Sequence, residues 1–210
     1  PAGNGVQLLA AAGARYALTW RSGCLRLIDL ARLAPVAVQS IDESLPLSRA
    51  VVTGDAVIGT LNDAPLARHA DLLVSAQLLG IAEAARDMAV AYAGVRQQFG
   101  QPIGAFQAVK HHCADMAIRA EMVSAQLVMA ALAERDGRSD AAFQTAALRL
   151  LAPRVALDNA RTNIQVHGAI GFSAECDAHL YVKRAHALAR IGGGTDLLDL
   201  HAPLAAHPRP

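Results

Sequence analysis

Two short stretches of this 210-residue chain, residues 95–116 and 165–172, carry the side chains best suited to chemistry. In the first, Arg96 is followed by Gln98 and Phe99 and, beyond a turn marked by Gly100 and Gly104, by Gln107. An arginine is permanently charged and multidentate, the donor that suits a phosphate or pyrophosphate. The amides of Gln107 and Gln165 both donate and accept, and Phe99 can cover an apolar ligand surface. In the second stretch Gln165 and Val166 lead to Gly168 and Ala169, and a glycine lets the backbone approach a phosphate with no side chain in the way. Thr195 follows the run Gly192-Gly193-Gly194. That run comes after a helix rather than a strand and lacks a GK[ST] ending, so it reads as a turn rather than a phosphate loop.

Metal chemistry finds little support in the pattern. His111 and His112 are adjacent, which points them in different directions on a helix, and His167, His179 and His186 add no HxxxH or HExxH spacing. No metal site is expected. Glu175, Asp177 and His179 read as residues of a helical first turn, where acidic groups complement the helix dipole.

The elements that must position these groups change character along the chain. Short apolar or alternating runs at residues 6–10, 16–20, 25–30, 36–38 and 47–52, separated by Gly13, Ser22-Gly23, Pro35 and Pro46, read as about five strands joined by tight turns. Five strands alone make a poor core and the chain opens on Pro1, so further sequence is expected ahead of it. Residues 1–62 are read as part of a small antiparallel β domain and residues 63–205 as a second, helical domain. The fold class expected is mainly α: a C-terminal four-helix up-down bundle preceded by that partial β domain.

Within the bundle a first helix starts at an Asx cap, Asn62 or Asp63, and runs to about Ala93. A long second helix is expected from Pro102 to about Arg135, with an apolar stripe of Phe106, Val109, Cys113, Met116, Ala120, Val123, Leu127 and Ala130 at alternating spacings of three and four. Asp136-Gly137 supplies its stop. A third runs from about Ser139 to Val166, with Pro153 inside it, and a fourth from about Ala174 to Ala189.

Composition limits the partners. The chain is 53% hydrophobic and 4% aromatic with a net charge of +1, which suits alanine- and leucine-rich helices and offers no basic footprint for nucleic acid. Three scattered cysteines suggest a reduced, intracellular thiol set. No uninterrupted apolar run of about 18 residues occurs, and a basic segment with an apolar core is not seen at the start. A cytoplasmic protein without a membrane role is expected.

The pattern Tyr92-x-x-x-Arg96-x-Gln98-Phe99-Gly100-x-Pro102-Ile103-x-x-Phe106-Gln107, followed by Ala114-Asp115-Met116, resembles the signature of the acyl-CoA dehydrogenase family. Residues 165–172, QVHGAIGF, are similar to that family's second flavin-side motif, QxxGGxGF. Both motifs stand in the right order. The likeness covers roughly residues 15 to 200, the strands resembling the latter part of the family's middle β domain. It implies FAD at a subunit interface, cradled by Arg96, Gln98, Phe99, Gln107, Gln165, Val166, Gly168, Ala169 and Thr195.

The departure from the family is as informative. Its members abstract a proton α to a thioester carbonyl with a glutamate, which in many of them lies in a YEGT-like turn; here that turn reads Ile191-Gly192-Gly193-Gly194-Thr195, with Gly193 in place of the carboxylate. Others carry the base in an LER-like segment of the first bundle helix, where this chain has Ala70 beside Asp71. Asp71 is read as an exposed helix residue, with a substitute base as the lesser alternative. No residue of this chain is assigned as catalytic. The resemblance implies an FAD-binding subunit that works on an acyl-CoA with a catalytic sister chain; the alternatives are a self-sufficient dehydrogenase, self-associating and with an unconventional base, and a flavin-free scaffold.

Overall fold

The computed structural model of the chain describes residues 5–9, 13–21, 24–61 and 64–191. The chain divides into two compact units at the Ala70–Asp71 bond.

In the first unit, β1 (Gly5–Leu9), β5 (Leu47–Val51) and β4 (Val36–Val38) form one antiparallel sheet in that order. A second joins β2 (Tyr16–Arg21), β3 (Cys24–Asp29) and β6 (Val57–Leu61). Leu8, Ile28, Leu30, Ala50, Val52 and Ala56 make one buried cluster. Five strands lie where the alternating runs predict them. The sixth, β6, is not among the runs read as strands; pairing with β3, with Gly59 opposite Leu27, supplies the backbone partners that this segment lacks by itself.

The helices are α1 (Ala64–Val95), α2 (Gln107–Arg135), α3 (Ala141–His167) and α4 (Ala178–Leu188), so the mainly helical bundle preceded by small antiparallel sheets is observed. The expected cap at residues 62–63 lies outside the described residues. Two starts are corrected. Pro102 does not open α2: its ψ of 139° is extended, and the helix begins only at Gln107. Nor does α4 start near Ala174; it starts at Ala178, so Glu175 and Asp177 precede the helix. The stop of α2 is as expected, with Gly137 at φ 62° and the N–H groups of Gly137 and Arg138 returning to the Glu134 and Ala133 carbonyls, the paired bonds of a Schellman motif.

Small residues bring the helices close. Ala85, Ala89 and Ala93 of α1 pack with Met116 of α2 and Val166 of α3. At the centre Asn159, fully buried, donates to the carbonyls of Ala82 and Met116 and accepts from Arg119, so one amide bonds to both neighbouring helices. Truncating it would leave those groups without a partner, at about 1–3 kcal/mol. Helix α2 is apolar on two faces. Met116, Ala120, Val123 and Ala130 are buried, as the stripe predicts, while Ile118, Met122 and Met129 stay exposed on the opposite side. By length and composition α2 is the one described helix that could cross a membrane.

Candidate functional site

The first motif folds into a hairpin that ends α1. Gln97–Gln98 pairs with Gln101–Pro102, and the two residues between them, Phe99 and Gly100, have φ of 52° and 79°. Two left-handed central residues define the tight hairpin turn usually given to Asn-Gly. Phe99 is the only described non-glycine residue in that region, and it is 92% exposed. Such a position costs a side chain on the order of 1–2 kcal/mol. The ring meets Phe106 edge to face at 6.1 Å, and the Ile103 N–H closes the hairpin on the Arg96 carbonyl at 2.8 Å.

The second motif ends α3. Gly168 caps the helix at φ 66° and ψ −141°, a conformation that favours glycine. Gly171 is needed for a different reason: a Cβ there would lie 2.8 Å from the Ile164 carbonyl oxygen. Ala169 stands where the QxxGGxGF pattern has its second glycine, and its φ is not positive, so an alanine fits.

The ends of these two helices face one cleft of about 440 Å³, lined by Tyr92, Arg96, Gln98, Ile103, Val166, His167, Ala169 and Ile170. Arg96 has no carboxylate partner among the described residues, so its charge is available there. Among the predicted site residues, Arg96, Gln98, Val166 and Ala169 are thus brought together, with Gly168 between two lining residues. Phe99 projects at the hairpin tip, Gln107 is the exposed first residue of α2 and Gln165 is exposed in the last turn of α3. Thr195 and Gly193 lie outside the described residues.

Four residues of this cleft, Tyr92, Ile103, His167 and Ile170, are not among the site residues that the sequence predicts. The rings of Tyr92 and His167 stack, centroids 4.1 Å apart and planes 22° from parallel. His167 is buried at 7% exposure, and its Nδ1 lies 2.9 Å from the Asn163 carbonyl oxygen. Tyr92 belongs to the first motif and His167 to the second, so their places in those motifs were the available signal. None of the other described histidines lines the cleft: His111 and His112 are exposed on α2, and His179 Nδ1 approaches the Cys176 carbonyl oxygen at 2.7 Å.

Asp71 is not the exposed helix residue expected. Its carboxylate meets Arg149 Nε at 3.1 Å, with 28% of its own side chain and 3% of the arginine's exposed. Arg149 Nη2 also donates to the Ile191 carbonyl. Burial raises the Asp71 carboxyl above the ordinary aspartate range, opposed by the Arg149 charge, and lowers the guanidinium from its usual value, opposed by Asp71. An arginine still keeps its proton. A carboxylate committed to a buried guanidinium is a counter-ion, and it is poorly placed to take a proton from a ligand.

Residues 67–200 match the family model for the acyl-CoA dehydrogenase C-terminal domain, and the chain belongs to the acyl-CoA dehydrogenase family. Acyl-CoA dehydrogenase FadE34 of Mycobacterium tuberculosis is 42% identical over 165 residues, which cover 75% of this chain and 22% of that protein. The chain is similar in structure to a variant of the Tcur3481-Tcur3483 steroid acyl-CoA dehydrogenase, with TM-score 0.80, 26% identity, and coverage of 98% of this chain and 61% of that one. The ChsE4-ChsE5 complex from Mycobacterium tuberculosis matches with TM-score 0.74 and 25% identity over 92% of this chain and 56% of that one. The chain therefore spans less than two thirds of each of these relatives.

Proposed function

We propose that this chain is the FAD-binding subunit of an acyl-CoA dehydrogenase, which desaturates the α,β bond of an acyl-CoA thioester together with a catalytic sister subunit. The observation that carries this reading is the convergence of Arg96 and Gln98 from the end of α1 with Val166 and Ala169 from the end of α3 on one cleft.

The donor set suits a dinucleotide. Arg96 offers an unpaired cation for the pyrophosphate, Gly168 leaves the backbone open with nothing within 4 Å of where a Cβ would stand, and Phe99 extends an aromatic face beyond the hairpin. Gln107 and Gln165 lie on the surface, where their amides can reach a ligand shared with another subunit. When bound, FAD supplies the acceptor for the hydride. This chain's own residues bind and orient it; the proton is removed elsewhere.

The place of the base supports the heteromer. Gly193 carries no side chain, and Asp71 is held by Arg149. A missing general base costs on the order of a hundred- to ten-thousandfold in rate, so a complementary subunit carrying the glutamate is required for full turnover. Two of the similar structures are named as pairs of chains, and the exposed stripe of Ile118, Met122 and Met129 gives α2 a second apolar face to cover. The self-sufficient reading needs an unconventional base, and for Asp71, the candidate named for that role, the ion pair with Arg149 disfavours it. The flavin-free scaffold leaves the charged cleft without a purpose.

Expressing the full-length protein alone and together with a candidate acyl-CoA dehydrogenase sister chain separates these readings. Flavin absorbance and turnover in the co-expressed complex, with neither in the chain alone, is the expected result. Turnover by the chain alone would establish the self-sufficient reading, and a colourless complex the scaffold.

A further inference from the structure

His167 has a fixed ring and a free acceptor. Of the two imidazole nitrogens in the neutral form, one donates and the other accepts. Nδ1 lies 2.9 Å from the Asn163 backbone carbonyl, which can only accept, so Nδ1 carries the proton and Nε2 is left with its lone pair. The stack on Tyr92 fixes the plane of the ring. No described residue donates to Nε2, yet that atom is not sealed; Ser75 Oγ and Asn163 Oδ1, by contrast, are buried and unpartnered. His167 lines the same cleft as Arg96.

From this we infer that His167 Nε2 accepts a hydrogen bond from a hydroxyl or amino group of the ligand whose anionic part is held by Arg96. The inference rests on the flavin reading, and FAD meets the requirement: it carries a pyrophosphate, several ribose and ribityl hydroxyls and an adenine amino group. Arg96 is a donor only, so the two side chains read opposite features of one ligand. A purely anionic molecule would satisfy Arg96 and leave the histidine idle.

The test uses the full-length protein in its complex, stripped of flavin and titrated with FAD by calorimetry. His167→Leu removes the acceptor at similar bulk, whereas His167→Gln keeps an oxygen acceptor within reach. A single neutral hydrogen bond predicts about five- to tenfold weaker FAD binding for the leucine variant, with the glutamine variant within about threefold of wild type. Nitrogen-15 NMR of histidine-labelled wild-type complex is an independent readout that needs no variant to fold. It should show a protonated Nδ1 and a bare Nε2 before FAD is added, and an Nε2 shift afterwards. A leucine variant that binds FAD like wild type, or a proton on Nε2 in the flavin-free state, overturns the acceptor role while the flavin reading stands. Failure of the wild-type complex to take up FAD overturns the flavin reading, and this inference with it.

Discussion

Arg149 meets Asp71 at 3.1 Å from a side chain that is 3% exposed, and its other edge donates to the Ile191 carbonyl, so one guanidinium ties α1 and α3 to the segment that follows α4. The pair explains why Asp71 is poor material for a base. Asp71→Asn should destabilise the protein by about 2–4 kcal/mol, a little under the figure for a fully buried pair because the carboxylate is partly solvated. Thermal unfolding of the single variant and of Asp71→Leu combined with Arg149→Met checks this. The double variant should recover most of the loss, since no charge is then stranded; a single variant as stable as wild type would show that the ion pair contributes nothing.

Phe99 predicts opposite signs for stability and binding. Its left-handed φ of 52° is strained for phenylalanine and easy for asparagine. Phe99→Asn should therefore raise stability by about 0.5–1 kcal/mol in chemical unfolding and weaken FAD binding in the complex. A variant that is less stable would indicate that the edge contact with Phe106 matters more than the backbone strain.

The outward apolar face of α2 predicts association. Ile118, Met122 and Met129 form a stripe opposite the buried one, and in the full-length protein the complex should bury more than roughly 2,000 Å² at its interface, the size of an obligate contact. Light scattering at micromolar concentration should show the assembly, and Met122→Lys should dissociate it. A monodisperse wild-type monomer would contradict the heteromer.

Much of the fold was legible because its signals are periodic. Strands β1 to β5 follow alternation, and the buried stripe of α2 follows helical spacing. The errors have local causes. Proline's φ near −65° suits both a first helical turn and an extended strand, so only ψ, which the pairing of Gln101–Pro102 with Gln97–Gln98 settles, places Pro102 outside α2. Strand β6 is missing from the expected strands because nothing in its own sequence shows β3 as its partner across the ladder.

At the site, the two motifs could be read from the residue order, but their meeting could not. The stack of Tyr92 on His167 joins residues from different helices and exists only once α1 and α3 pack. Arg149 did leave a trace. It shares a helical face with Thr145, Ala152, Ala156, Asn159 and Asn163, all buried, and a charge on such a face calls for a counter-ion. Asp71, a single acid on another helix, gave no matching sign.

The measurement that bears most directly on the central claim is the flavin content of the purified full-length complex carrying Arg96→Ala, read by absorbance against wild type at equal protein concentration. Arg96 is exposed and holds no part of the core, so the helical circular dichroism should be unchanged. Loss of a charge-assisted contact to a pyrophosphate should weaken FAD binding by about 1.5–3 kcal/mol, roughly ten- to a hundredfold. The expected result is a complex that is folded, assembled and largely stripped of flavin on dilution. Full flavin occupancy in that variant would contradict the assignment of this cleft as the FAD cradle.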